Sequence, residues 1–272
     1  MATFLFWNVY KKPNAKLIRD LCDENNVDVL ALAECGDGNG LLPELNAGRL
    51  RLFRLVQNVA TRVCVFSKYP PSQDVEVVSD DWQVSVRRIV PPVGSDVILV
   101  AIHLGSKMHQ RDIDQISEAV RLSQIITSAE RRVGHSRTIV MGDLNMSPFE
   151  AGMVTADGLH AVMDRRIARL GSRTVNRRKR TFFYNPMWNF LGDASKGPPG
   201  TYFRWDSSHT CYFWNMFDQV LLRPELLPHV PDDGIRIVHS IQGTSLLGAN
   251  GRIDTDVSDH LPIIATIELE RV

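Results

Sequence analysis

The stretch Thr138-Ile139-Val140-Met141-Gly142-Asp143-Leu144-Asn145-Met146-Ser147-Pro148 decides how the chain is read. Its first half is a short apolar run rich in β-branched residues, the signature of a buried strand. Gly142 marks a sharp turn or a close approach of backbone. Asp143 and Asn145 follow at alternate positions, so in extended chain both side chains point the same way. Ser147-Pro148 predicts an N-cap and a first helical residue, with Glu150 supporting the first turn. Taken alone, an Asp-x-Asn of this kind is more often an Asx turn joining strand to helix. The same arrangement recurs along the chain, and that shifts the balance toward chemistry.

At 272 residues the chain is long enough for a large core, and its 44% hydrophobic and 23% charged content are ordinary globular values. Lys plus Arg and Asp plus Glu both number 31, so net charge indicates neither a basic nor an acidic partner. Cys22, Cys35, Cys64 and Cys211 lack metal-ligand spacing and sit in or beside apolar runs, as free thiols of a reducing compartment do. The opening Phe4-Leu5-Phe6-Trp7-Asn8 carries no basic n-region or cleavage site. No apolar run approaches the ~20 residues that span a bilayer. A soluble, cytoplasmic protein without a membrane partner is expected.

In order, Thr3 to Tyr10 reads as a strand, Asn14 to about Asn25 as a capped amphipathic helix, and Val27 to Ala33 as a second strand. That βαβ unit predicts parallel pairing, with a glycine-rich loop over Gly36 to Gly48 after Glu34. Strands follow at Arg51 to Gln57, Arg62 to Phe66, Val75 to Val78, Val84 to Val90 and Val97 to His103. Turn signals at Lys68-Tyr69-Pro70-Pro71 and Pro91-Pro92-Val93-Gly94 favour antiparallel neighbours here. Arg111 to about Arg132 forms an amphipathic helix through Ile113, Ile116, Val120 and Ile125-Ile126, with Arg111 and Gln115 placed to hold it against a site. Residues 165 to 210 read as irregular, and closing strands are expected at Phe217 to Leu222, Ile235 to His239 and Pro262 to Leu269. Neither a repeat nor a dividing linker is visible, so one domain over 1–272 is expected, with a basic and aromatic insertion at about 165–210.

Asn8, Glu34, His103 and Asp143 with Asn145 each follow the carboxyl end of an apolar strand, whereas Asp218 and Ser258-Asp259-His260 precede strands. If the last two strands run antiparallel to the others, all these residues meet at one edge. Carboxylates so gathered repel one another unless a cation or a shared proton intervenes. Oxygen donors without thiolate suit a hard cation, Mg²⁺ or Mn²⁺, and nearby histidines supply acid–base chemistry at neutral pH. Metal, carboxylates and histidine together point to phosphoryl chemistry.

Trp7-Asn8, Ala33-Glu34, Ile102-His103-Leu104, Gly142-Asp143-Leu144-Asn145, Phe217-Asp218-Gln219-Val220 and Ser258-Asp259-His260-Leu261-Pro262 occur in that order across nearly the whole chain. In this the chain resembles the endonuclease/exonuclease/phosphatase family of metal-dependent phosphoesterases. The resemblance implies an α/β fold, a four-layer sandwich of two mixed β-sheets packed face to face with helices outside. It implies Glu34 as the main metal ligand, with Asn8 and Asp259 completing the shell. His260 would be the general base, oriented by Asp218. Asp143 and Asn145 would position the nucleophile or a second metal and the phosphate, and His103 would meet the phosphate or the leaving group.

The substrate is read from less. An arginine after the Gly-Asp-x-Asn and a Cys-Asp-Arg, usual in the inositol phosphatase branch, are replaced by Met146-Ser147-Pro148 and Phe217-Asp218-Gln219. Met216 stands where the AP-endonuclease branch tends to have arginine. Arg165 to Arg180 holds eight Lys or Arg and no acid, and aromatic clusters follow. Arg177, Arg178, Lys179, Arg180, Trp188 and Trp205 are therefore expected to track phosphates and stack bases. The plain alternative is a solvated basic face or a hinge to a protein partner. A Mg²⁺- or Mn²⁺-dependent endonuclease on DNA, with RNA next, is the leading expectation. The alternatives are a phosphatase or phosphodiesterase for a small or lipid phosphate, and a catalytically silent binding module.

Overall fold

The computed structural model describes residues 1–56, 60, 62–69, 75–107 and 111–269. Strand β1 (Ala2–Asn8) is buried along its whole length and lies inside a sheet. Helix α1 (Ala15–Glu24), capped by the Asn14 side-chain oxygen on the Leu17 N–H, returns the chain to β2 (Val29–Ala33), which pairs parallel with β1. The one-turn helix α2 (Leu42–Leu45) precedes β3 (Arg54–Leu55) and β4 (Val63–Ser67), and β4 runs antiparallel to β2. Strands β5 (Val75–Asp80), β6 (Val84–Ile89) and β7 (Val97–His103) then pair antiparallel in succession. Helix α3 (Asp112–Val133) crosses back to β8 (Thr138–Asp143), parallel to β7.

After α4 (Ala151–Val154), β9 (Ala161–Val162) and α5 (Arg165–Ala168), the chain makes a separate hairpin of β10 (Ser172–Val175) and β11 (Arg178–Thr181). Strand β12 (Phe183–Tyr184) rejoins β9, and β13 (Tyr202–Phe203) with β14 (Trp214–Asn215) forms a second hairpin. Strand β15 (Asp218–Leu222) runs antiparallel beside β8. Strand β16 (Ile235–Ile237), a small hairpin of β17 (Ser240–Ile241) and β18 (Thr244–Ser245), and β19 (Ile263–Ile267) complete the chain. The sheets are ordered β16-β19-β1-β2-β4-β3 and β5-β6-β7-β8-β15-β12-β9.

Strand alternation sorts the core into three apolar layers. Phe4 and Phe6 meet Leu99, Ala101, Met141 and Val220 between the sheets. Leu5 and Trp7, on the other face of β1, meet Ile18, Leu21 and Cys22 of α1. Val100, Ile102 and Val140 meet Leu122 and Ile126 of α3. Helix, sheet, sheet, helix: the architecture is the four-layer α/β sandwich expected from the sequence. Among the described residues, no helix is long and apolar enough to cross a membrane.

Several local expectations change. Within the Arg51 to Gln57 run only Arg54–Leu55 is strand, and Gln57 lies outside the described residues, as do Pro70 and Pro71 of the turn after β4. Residues 165 to 210, expected to be irregular, hold one complete hairpin, β10–β11, the main-sheet strand β12 and the first strand, β13, of a second hairpin. The helix predicted from Pro148 begins at Ala151, because Glu150 Oε1 accepts the Ser147 N–H at 2.8 Å and holds the intervening residues in a turn. Helix α3 buries Gln115, Ala119, Leu122, Ile126 and Ala129, leaving Ile113 58% exposed. Its rotation lets Gln115 reach the Asn145 carbonyl at 2.7 Å and sets Ala119 against Gly152 of α4. Arg111 does not reach the site; it pairs with Asp114 at the helix start.

At the end of β7 away from His103, Asp96 accepts from Arg88 and Arg137, with His135 Nε2 3.2 Å away, and so ties β6 and β8 to β7. Partial burial works against the carboxylate, but Arg88, Arg137 and His135 beside it outweigh that and hold Asp96 at about 2. Its folded value lies below the unfolded ~3.9, so its stabilisation is full above that value and lost as pH falls through about 2. Asp96→Asn should therefore destabilise the protein by roughly 1–3 kcal/mol at pH 7. The gap in Tm between variant and parent should close between pH 4 and pH 2; a gap that stays constant would remove the carboxylate from the account.

Candidate active site

Strand direction brings the polar strand ends together. Asn8 is level with Ala33, just before Glu34, across β1–β2. His103 faces Asp143 across the parallel β7–β8 pair, and Asp218 faces Asp143 across the antiparallel β15–β8 pair. Antiparallel β19 starts beside the end of β1, with Ile263 opposite Phe6, and so delivers Asp259 and His260. One sheet supplies Asn8, Glu34, Asp259 and His260; the other supplies His103, Asp143, Asn145 and Asp218.

Gly142 is required by close approach. A Cβ there would lie 2.0 Å from the Ile102 carbonyl oxygen, so only glycine lets β7 and β8 pair up to His103 and Asp143. The chain then leaves extended geometry: Asn145 has φ 50°, and its N–H bonds to Asp143 Oδ1 at 2.9 Å. Asp143 thus makes the Asx turn as well as facing the site. The Asn145 amide donates to the Leu104 carbonyl at 3.2 Å instead of lying parallel to Asp143, which corrects the alternate-position reading. Glu34 also sits in the left-handed region, at φ 56°. Such conformations persist in L-residues only where surrounding structure enforces them.

His260 Nδ1 lies 2.7 Å from Asp218 Oδ2, and both residues are buried. The ring is fixed from several sides: Trp7 donates its indole N–H to the His260 carbonyl at 2.9 Å, and Ser258 Oγ accepts the His260 N–H while donating to the Asn8 carbonyl. Tyr202 lies tilted on the imidazole with centroids 4.8 Å apart. Thr201 Oγ1 accepts the Asp218 N–H at 3.0 Å. Burial opposes an imidazolium here, but the charges of Asp218 and Asp143, the Asp218 hydrogen bond and the Asp259 charge outweigh it, raising His260 to about 10. Burial pushes the Asp218 carboxyl up, against the nearby imidazole. Asp259 is raised as well, chiefly by burial.

The remaining groups close around Asp143. Its Oδ2 lies 3.3 Å from Asn8 Nδ2, 3.7 Å from His103 Nε2 and 3.8 Å from His260 Nε2. Glu34 Oε1 is 3.5 Å from Asn8 Nδ2 and 3.8 Å from His103 Nε2, and Asp259 Oδ1 is 3.9 Å from His260 Nε2. Among the described residues, no lysine or arginine pairs with Glu34, Asp143, Asp218 or Asp259. Asp218 Oδ1, Asp259 Oδ1 and His103 Nδ1 are buried without a hydrogen-bond partner. Asp143, Asp218 and His260 offer ligand atoms within 4.8 Å of one another. Uncompensated carboxylates with orphaned buried oxygens fit a hard divalent cation, and no thiolate competes. The tightest grouping centres on Asp143 and the His260–Asp218 pair, next to the Asn8, Glu34 and Asp259 set named from sequence.

The substrate-binding candidates divide. Trp188 meets Phe149, four residues past Asn145, edge to face at 6.3 Å, and Phe149 in turn meets Tyr212 at 5.6 Å. Trp205, 65% exposed, lies beyond Tyr202 on the β13–β14 hairpin, between Phe213 and the Arg252 guanidinium. Arg177, Arg178, Lys179 and Arg180 lie elsewhere, on the β10–β11 hairpin beside the outer face of α3. Thr201, Tyr202 and Gln219, whose Nε2 bonds to the Met146 carbonyl, support the site without having been singled out from sequence. Gln219 stood inside a quoted motif and Tyr202 inside the aromatic run Tyr202-Phe203-Arg204-Trp205; Thr201, just after the Gly/Pro stretch, carried no signal.

The sequence profile of the Endonuclease/Exonuclease/phosphatase family matches residues 5–260. Among curated proteins none matches. An AP endonuclease from Archaeoglobus fulgidus is 14% identical, with 98% of this chain and 100% of that one covered and a TM-score of 0.58. The 3′ phosphatase NExo from Neisseria, bound to product DNA hairpin, is 15% identical over 98% and 99% of the two chains, with a TM-score of 0.55. ANGEL2, a 2′,3′-cyclic phosphatase, is 13% identical over 99% and 95%, with a TM-score of 0.60. At these identities the structures share the fold, while the profile match spans nearly the whole chain and ends on the base candidate His260. The chain therefore belongs to the endonuclease/exonuclease/phosphatase family of phosphoester-hydrolysing enzymes.

Proposed function

We propose that the chain is a Mg²⁺- or Mn²⁺-dependent phosphodiesterase that hydrolyses DNA, with RNA as the second polymer. The observation that carries this is the buried His260–Asp218 pair, 2.7 Å apart, facing carboxylates that no lysine or arginine among the described residues neutralises. Glu34, Asn8 and Asp259 would hold the cation, with Asp143 beside them. A divalent ion in such a site supplies positive charge to the phosphoryl oxygens and lowers the pKa of water. His260 takes the proton of the attacking water at Nε2, since Nδ1 is held by Asp218. Asp143 and Asn145 position the nucleophile and the phosphate, and His103 meets charge on the phosphate or the leaving oxygen. His260's high proton affinity comes from its anionic neighbours, and it falls as their charge is compensated. The aromatic wall of Phe149, Trp188 and Tyr212, with Trp205 beyond Tyr202, gives nucleobases faces to stack on.

Glu34→Ala or His260→Ala should lower metal-dependent hydrolysis by at least ~10²-fold with the circular dichroism spectrum unchanged. Turnover surviving in either variant would defeat the mechanism. Plasmid, single-stranded DNA, RNA and phosphoinositides, each with Mg²⁺ or Mn²⁺, form the deciding panel; phosphate release from phosphoinositide alone would overturn the polymer reading. Mn²⁺ at 100 times its Kd should stabilise the parent by ~2.7 kcal/mol. That gain should vanish in Glu34→Ala, and an undiminished thermal shift would move the ion elsewhere.

Asp218→Asn removes the anion nearest the His260 ring, so the His260 pKa must fall. The acid limb of the pH–rate profile should move to lower pH while kcat drops by roughly 10²–10⁴. A limb displaced upward would show that another group titrates.

A further inference from the structure

We infer that the β10–β11 hairpin and the adjoining flank of α3 form a second contact surface, remote from the catalytic centre, that holds the phosphodiester backbone of a flexible single-stranded nucleic acid. The inference rests on the nuclease reading of the site and adds to it where the polymer runs.

Placement comes first. Thr181, at the end of β11, accepts from Arg223 Nη1 through its hydroxyl, and the Arg223 N–H bonds to the Thr138 carbonyl. Thr138 and Leu222 are the ends of β8 and β15 opposite Asp143 and Asp218, so the hairpin is rooted a full strand length from the site. Arg178 and Arg180 line a 370 Å³ groove with Ser123, Thr127, Ser128 and Arg131 of α3. Gln115 marks the site end of that helix, and at 1.5 Å per residue Ser123 and Arg131 lie ~12 and ~24 Å along it. At ~3.4 Å per stacked nucleotide, that offset corresponds to about four to seven nucleotides.

Charge comes second. Arg180 is paired with Asp157, and Arg173 donates to His160 Nε2 at 2.8 Å. Arg177, Arg178, Lys179 and Arg131 have no ion-pair partner among the described residues. Arg173 and Arg180 face each other across the hairpin, and like charges directly opposite destabilise a strand pair. The turn adds strain of its own. Asn176 and Arg177 both have positive φ, 49° and 62°, the geometry of a two-residue turn that prefers glycine second. An exposed arginine at the strained position, flanked by unneutralised cations and a hydroxyl-lined groove, is poor design for folding and suits a polyanion.

Flexibility comes third. The catalytic centre opens at the strand ends, whereas the hairpin lies on the outer flank beside α3. A strand entering both must turn from edge to flank within ~12–24 Å. Duplex DNA, with a persistence length of ~150 base pairs, resists such a turn; a single strand does not.

The test uses the intact enzyme with Mg²⁺ on a dinucleotide, a 20-nucleotide single strand and a 20-base-pair duplex. For the parent, KM should fall on passing from the dinucleotide to the 20-mer. In Arg177→Gln/Arg178→Gln/Lys179→Gln that advantage should shrink by ~10-fold, and the log–log salt slope for the 20-mer should flatten by ~2. Arg177→Gly should raise Tm, because strain is relieved, yet weaken 20-mer binding; stronger or equal binding overturns the proposal. An unchanged length ratio and salt slope in the triple variant also overturn it, and an equal advantage for the duplex overturns the single-strand assignment. If the parent cleaves none of the three, the nuclease reading fails on its own. The hairpin is then tested by acetylation of Lys179 in metal-free parent protein with and without the 20-mer: protection supports the contact, and undiminished labelling overturns it.

Discussion

Four carboxylates converge at one edge of the sandwich with no lysine or arginine among the described residues to neutralise them, and this repulsion is the constraint around which the molecule is arranged. Strands deliver Asp143 and Asp218 opposite each other across an antiparallel pair, where like charges work against pairing. Pairing nonetheless continues to the last residue, where the His260 ring meets Asp218 Oδ2 at 2.7 Å. The scaffold meets the rest of the strain from below. Three apolar layers hold the strands, and the Asp96 clamp fixes the far ends of β6, β7 and β8. A site poised in this way is stabilised by whatever cation enters it, which ties fold stability and function to one electrostatic feature.

Most of the centre was legible in the sequence because each chemical group sits where an apolar run stops. Asn8, Glu34, His103 and Asp143 end buried strands, and Asp218 and His260 begin them, so reading strand direction was enough to gather them. What the sequence did not reveal depends on rotation and turning. The apolar spacing of α3 allowed Ile113 or Gln115 to face inward, and Gln115 won through its bond to the Asn145 carbonyl. Asp-x-Asn implied parallel side chains, but positive φ at Asn145 turned its amide away. The basic segment showed its charge plainly and its position not at all, since a hairpin excursion from the sheet edge leaves no periodic trace. Its eight cations lie in one run of sequence, while the aromatic residues near the catalytic centre lie in several.

The division between aromatic wall and basic flank gives the two surfaces different work. Stacking on Phe149, Trp188 or Trp205 is short-ranged and insensitive to salt, whereas phosphate contacts are long-ranged and salt-dependent. On the proposed reading, the first kind of contact would set which residue enters the site, and the second would raise the residence time of a chain long enough to span both.

The pairing of β1 with both β2 and β19 has a consequence for the making of the protein. The N-terminal strand cannot complete its sheet until residues near the C-terminus arrive, because β19 is its other neighbour. His260 lies three residues before the start of that strand, so it comes into place by the same event that closes the sheet. Contacts of such long sequence separation form late and slowly. A nascent chain can therefore bury much of the β5–β8 core while His260 is still absent from the gathered strand ends. The polar centre is assembled all at once, by the same step that closes the sheet.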